Sequence, residues 1–163
     1  MQMEEDRLKY TINRFDHYFD SVNNKSAVYI AINTFITGGI IVLLTQTDIV
    51  CAMSQTGKFG IGLLLLLGVL SLIILSLASI PFFSKKPNSI YYFGAISQMK
   101  QTEFYEASKN YTKNDELTDL RSQTYILSRG LTRKFTRIKW AGIFLVAQFI
   151  LLLIILITIL INS

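Results

Sequence analysis

The fourteen residues from Leu127 to Trp140, LSRGLTRKFTRIKW, hold five basic side chains and no acid. Arg129, Arg133 and Arg137 recur at every fourth position, so on a helix they form one slowly drifting stripe. Lys134 stands beside it. Arg121 lies two turns back, and Lys100, Lys109 and Lys113 are further cations of the same segment. Guanidinium groups so spaced grip phosphates and other anions through charge-assisted hydrogen bonds, with strong salt dependence. The plainer reading is that basic residues beside an apolar run orient a membrane span and touch anionic lipid, at ~1 kcal/mol per charge. Spacing alone leaves both open.

Other chemistry is sparse. The chain has one His and one Cys among 163 residues, and no spacing of ligands that suits a metal. It has no phosphate-loop motif and no nucleophile elbow. His17 lies beside Asp16 and near Asp20 without a nucleophile to serve, which reads as a surface histidine on a helix. Cys51 has no second cysteine to bond within the chain and reads as a free thiol. No enzyme activity, cofactor or metal site is expected.

Three uncharged apolar runs must position whatever the cations do. They are 26–45, 59–80 and 140–161. Each is about 20 residues, and at ~1.5 Å per residue each crosses a ~30 Å hydrocarbon layer as a helix. No cleaved leader is expected, because the first run begins only at residue 26, behind an acidic, aromatic segment. Four basic residues precede the first run, one lies between the first and second, eleven lie in 84–139 and none follows the third. The excess of Lys and Arg places the N-terminus and the middle segment in the cytosol and the C-terminus outside. Trp140 anchors the inner end of the third run. The expected plan is a cytosolic amphipathic helix (1–25), a transmembrane helix (26–45), an outer loop (46–58), a second transmembrane helix (59–80), a cytosolic helical hairpin (84–138) and a third transmembrane helix (140–161).

Within the cytosolic parts, Leu8, Ile12, Phe15, Phe19 and Val22 share one helix face, and Arg7, Arg14, Asp16 and Asp20 fall off it. Pro81 and Pro87 bracket a break. Asn88–Ser89 reads as the cap of a helix running on through IYYFGAISQMKQTEFYEASKNY, with Tyr92, Ile96, Met99 and Glu103 in line. Asn114 and Asp115 mark a turn, Asp115 as a cap. Leu117, Leu120, Thr124, Leu127, Leu131, Phe135 and Ile138 then form the apolar stripe of a helix that continues into the third span. The aromatic content, Tyr10, Tyr18, Tyr91, Phe93 and Tyr105 among it, exceeds what one thin bundle needs. That predicts an all-α membrane protein: three transmembrane helices continued by a small cytosolic bundle, assembled as a symmetric homo-oligomer. Inside the bilayer, Asn33 and Gln148 lie at matching depth. With Thr37 they read either as interhelical hydrogen bonding or as the lining of a water path.

The residues also carry a resemblance. N-K-S-A at Asn24–Ala27 with Asn33, Y-F-G-A-I at Tyr92–Ile96, D-L-x-x-Q-x-x-x-L-S at Asp119–Ser128 and K-F at Lys134–Phe135 resemble the Pycsar effector-type transmembrane family of bacterial antiphage defence. The likeness covers about residues 8–150 and departs at Asn24, where the family pattern has Asp. It implies a membrane effector of the inner membrane. The chain is also similar to the stand-alone membrane effectors of the Hailong system. That likeness implies a homotetrameric channel gated by a nucleotide or a short single-stranded DNA made by a partner nucleotidyltransferase. Under it, Arg129, Arg133, Arg137, Lys134 and Arg121 become candidate ligand contacts, with nearby tyrosines for base stacking. The alternative is a non-conducting membrane anchor for a cytosolic partner.

Overall fold

Long uninterrupted apolar and amphipathic runs leave the backbone little choice but helix. The computed structural model describes residues 2–81 and 89–162, and every regular element in them is helical. The order is α1 (Gln2–Leu44), α2 (Thr47–Ala52), α3 (Gln55–Ser79), α4 (Phe93–Ile96), α5 (Gln101–Lys109) and α6 (Lys113–Asn162). Three of them, α1, α3 and α6, are long and apolar enough to cross a membrane. The chain packs as two units. Unit 1 is Met1–Asp20 with Pro81–Arg133; unit 2 is Ser21–Ile80 with Lys134–Ser163.

Unit 2 holds the three apolar helices. The buried residues of α3 are Ile61, Leu64, Gly68, Ser71, Leu75 and Ala78, in strict alternation of three and four. Buried positions on α6 keep the same rhythm: Leu131, Lys134, Ile138, Ala141, Leu145 and Gln148. On α1, Ser26, Asn33 and Ile40 recur every seven. A seven-residue repeat is the mark of helices that wind gently leftward about one another, knobs into holes. Contacts of Gly60 with Ile155, Gly68 with Gln148, and Ser71 with Ala141 run α3 antiparallel to α6. At one end Ile40, Ile61 and Leu64 form an apolar cluster with Leu151, Leu152 and Ile155 packed against it. Elsewhere the spans leave broad apolar faces open, as lipid or another protein surface requires.

Unit 1 is held differently. Leu117 and Leu120 of α6 are buried, and Leu8, Ile12, Phe15 and Phe19 of α1 are half-buried on the face expected of them. Ion pairs join the two helices: Arg121 meets Glu4 at 2.8 Å, and Lys9 meets Glu116 at 3.0 Å.

Local signals moved several boundaries. The stretch 46–58 is not a plain loop: it holds α2 and the start of α3. Ser54 caps α3, its hydroxyl accepting from the Gly57 N–H at 3.2 Å. Ile80, the residue before Pro81, is extended and ends α3, as proline demands of its predecessor. The single helix expected to follow Asn88–Ser89 is two short ones. Ser89 does not cap a helix there: its hydroxyl donates to Asp119 of α6 and accepts from the Tyr91 N–H at 3.1 Å, ahead of α4. Tyr92 is extended just before α4, and a second helix restarts where Glu103 accepts from the Lys100 N–H. Pro87 and Asn88 lie outside the described residues. At α6 the cap is Thr112, not Asp115. The Asp115 N–H donates to the Thr112 hydroxyl, and the Asp115 carboxylate accepts from the Thr112 N–H and hydroxyl. Phe135 also leaves the predicted stripe, being 40% exposed, because the seven-residue rhythm puts Lys134 inward instead.

These bonds from Thr112, side chain first and then backbone, hold the Asp115 carboxyl below its ordinary range. A group so depressed lends stability above its unfolded pKa and loses it as pH falls through the folded one. Thr112→Ala should cost the first turn of α6 about 1 kcal/mol, seen as roughly fivefold faster amide exchange there. Acidification below the usual carboxylate range should fray the same turn in the parent and change the variant less. Equal exchange in parent and variant at neutral pH would show the cap to be idle.

Candidate functional site

The basic run resolves into side chains with different duties. Arg129 and Arg133 are exposed on α6, and Arg129 lies over the ring of Tyr125 at 5.8 Å, a guanidinium laid on an aromatic face. After Asp119 the chain has no acid, so nothing on their own helix neutralises them. Arg137 is also exposed, but its Nη1 donates to the Leu77 carbonyl at 2.6 Å. That carbonyl belongs to the last turn of α3, where backbone acceptors lack partners and the helix dipole is negative. Arg137 thus supplies the cation that α3 lacks at its own C-terminus. Arg121 is engaged by Glu4 through Nε and Nη2. Lys134 is buried within unit 2, where its Nζ donates to the Asn23 Oδ1 at 3.1 Å. Burial, with the charge of Arg137 adding, pulls its ammonium below the ordinary lysine range. Of the five predicted anion ligands, Arg129 and Arg133 are the two that no contact of this kind engages among the described residues.

The polar residues of the spans do meet. Gln148 Nε2 donates to the Thr37 hydroxyl at 3.3 Å, which donates to Asn33 Oδ1 at 2.8 Å. All three side chains are buried. The matching depth of Asn33 and Gln148 is thus real, but Thr37 is the go-between. Gly68 of α3 makes the room: a Cβ there would overlap Thr37 Oγ1 and crowd Gln148 and Asn33. Next along α3, the Ser71 hydroxyl donates to the Ala141 carbonyl at 3.1 Å. Asn33 Nδ2 and Gln148 Oε1 have no partner among the described residues. The layer is therefore a helix-to-helix clasp facing the interior of its own unit.

A third constellation escaped the chemical reading of the sequence. Asp119 is buried in unit 1, and its Oδ2 accepts from Ser89 Oγ at 2.6 Å and from the Tyr111 hydroxyl at 3.1 Å. Gln123, one turn on, donates to the same Ser89 oxygen at 3.1 Å. Burial first, and the Asp119 charge next, push the Tyr111 phenol well above its ordinary range. Asp119 and Gln123 are the D and Q of D-L-x-x-Q, so their spacing was visible; what they hold was not. On the exposed side of α1, Arg14 lies between Tyr10 and Tyr18, 5.9 Å and 5.7 Å from their rings.

A family described as the Pycsar effector protein domain matches residues 7–161. No curated protein and no solved structure matches the chain.

Three substitutions probe the clasp and the Asp119 cluster. Gly68→Ala should destabilise the spans by about 1–3 kcal/mol, the usual cost of overpacking. Thr37→Val should cost about 0.6 kcal/mol, the mean worth of one hydrogen bond between membrane helices. Asp119→Ala should cost about 2 kcal/mol by stranding the Ser89 and Tyr111 hydroxyls. Thermal unfolding in detergent, followed by circular dichroism, measures each. A Gly68→Ala protein as stable as its parent would mean that α3 and α6 pack less closely than described.

Proposed function

The chain belongs to the Pycsar effector family, as a multi-pass membrane effector of antiphage defence, and from that premise we propose that it is a nucleotide-gated channel. Several copies, four favoured, would assemble in the bacterial inner membrane with the N-terminus cytosolic and the C-terminus outside. Unit 1 would form the cytosolic helical bundle. A pore would form between copies, since the clasp of Asn33, Thr37 and Gln148 is closed inside one chain. Tyr10, Tyr91, Phe93, Tyr105 and Tyr125 all stand exposed on unit 1 and give neighbouring copies an aromatic surface to share.

The observation that carries the reading is the pair Arg129 and Arg133. They are exposed cations without carboxylates on a helix that runs on, unbroken, as the third span. In a ring, such pairs would line a cavity of positive potential that attracts a nucleotide or a short single-stranded DNA. Tyr125, under Arg129, would stack on a base without reading sequence. The ligand, made by a partner nucleotidyltransferase, biases gating by its different affinity for closed and open states. Moving a population from 1:99 to 99:1 takes ~5.5 kcal/mol. Over four subunits that is ~1.4 kcal/mol each, the size of one charge-assisted hydrogen bond. Opening would collapse ion gradients and arrest growth. The chain acts here by binding and conduction rather than by catalysis.

Purified protein in planar bilayers should pass current that changes when nucleotide or oligonucleotide is added to one side. Silence under every such addition would favour a non-conducting anchor for a cytosolic partner. Arg129→Gln with Arg133→Gln should weaken oligonucleotide binding and reduce its log–log salt slope by about 1.4, two single-strand phosphate contacts. Arg137→Gln should instead loosen the end of α3 and leave that slope alone. Unchanged binding by the correctly inserted double variant would remove these arginines from the site.

A further inference from the structure

Unit 2 carries a groove of about 470 Å³ between α1 and α6 that neither the clasp nor the arginine pair uses. Lys25 and Tyr29 line it from α1; Phe135, Ile138, Lys139, Gly142, Ile143 and Val146 line it from α6. Both helices enter the apolar layer in the same sense, so their numbering measures depth. Both lysines stand just outside the uncharged runs that begin at residues 26 and 140, with Phe135 and Ile138 continuing the wall a turn further out. Below them the walls are apolar to Val146 apart from the Tyr29 hydroxyl, a length of about 10 Å along α6. The groove is thus cationic at the interface and greasy within, the inverse charge pattern of an anionic phospholipid.

Two further features point to the same occupant. The lysines have no acid to answer them: unit 2 contains one carboxylate, Asp48, and it lies at the opposite end of α1. Gly142 gives the Tyr29 ring its place in the groove wall, for a Cβ there would already stand 3.3 Å from that ring. A large side chain at 142 would fill the space that an acyl chain needs.

We propose that this groove holds one anionic phospholipid, its phosphate between Lys25 and Lys139 and an acyl chain along Gly142, Ile143 and Val146. The assignment needs only the membrane spans, not the channel or its ligand. Two lysines give the phosphate two charge-assisted contacts, while the groove selects a lipid that is already beside the helix. The site therefore differs from general attraction to a charged surface, which would not need the cleft.

The full-length protein, released from nanodiscs containing equal phosphatidylglycerol and phosphatidylcholine, is examined by native mass spectrometry. The parent should retain phosphatidylglycerol over phosphatidylcholine by about 30-fold, the size expected of two interfacial lysines. Lys25→Gln with Lys139→Gln should abolish that preference. Gly142→Leu should release the lipid with both lysines in place. Equal retention of the two lipids by the parent overturns the proposal. So does undiminished phosphatidylglycerol on an inserted Gly142→Leu protein, which would reduce the effect to surface charge. If Gly142→Leu does not insert, the lysine pair decides alone. Efficient disulfide dimers of Ile143→Cys in a Cys51→Ser background would put a second copy in the groove instead and overturn the lipid assignment.

Discussion

A helix that turns its buried face every seven residues must bury whatever side chain that rhythm delivers. On α6 the rhythm runs Leu117, Leu120, Thr124, Leu127, Leu131, Lys134, Ile138, Ala141, Leu145, Gln148. Two of these, Lys134 and Gln148, cannot be buried without a partner at tolerable cost. Each finds one on α1, Asn23 and Thr37 respectively. Polar groups on an otherwise apolar seam fix register, because sliding either helix by one position leaves them unpaired. Arg137 and Ser71 add two bonds of the same kind between α6 and α3. The packing of unit 2 is thus specified by a few polar contacts against an apolar background that would otherwise slide.

Unit 1 meets the opposite demand. Its helices are short or half-exposed, and water competes for every polar group. There a buried carboxylate, Asp119, gathers Ser89 and Tyr111 onto α6. The surface pairs of Glu4 with Arg121 and Lys9 with Glu116 add orientation more than energy, since exposed ion pairs contribute at most about 1 kcal/mol.

Function is divided along the same lines. Cations that answer the chain's own backbone or side chains, Arg121, Lys134 and Arg137, build the molecule. Arg129 and Arg133, with no acid beyond Asp119 on their helix, stand exposed. One run of basic residues therefore holds side chains with different surroundings. The i, i+4 spacing of the arginines was legible at once, yet four-residue steps drift around a helix. By Arg137 the stripe has reached the end of α3.

Residue type and spacing alone determined the three spans, the all-helical fold, the family and the inward face of α1. Each depends on free energies summed over many residues, mainly transfer of apolar surface and the need to close every backbone hydrogen bond in lipid. Only the tertiary structure decided what Ser89 holds, and that Lys134 rather than Phe135 turns inward. It alone showed Gly68 as the gap into which Thr37 and Gln148 fit. These outcomes hinge on single hydrogen bonds between residues far apart in the chain, as Ser89 to Asp119 and Gln148 to Thr37. A local pattern carries no information about a partner that only folding brings within 3 Å or so.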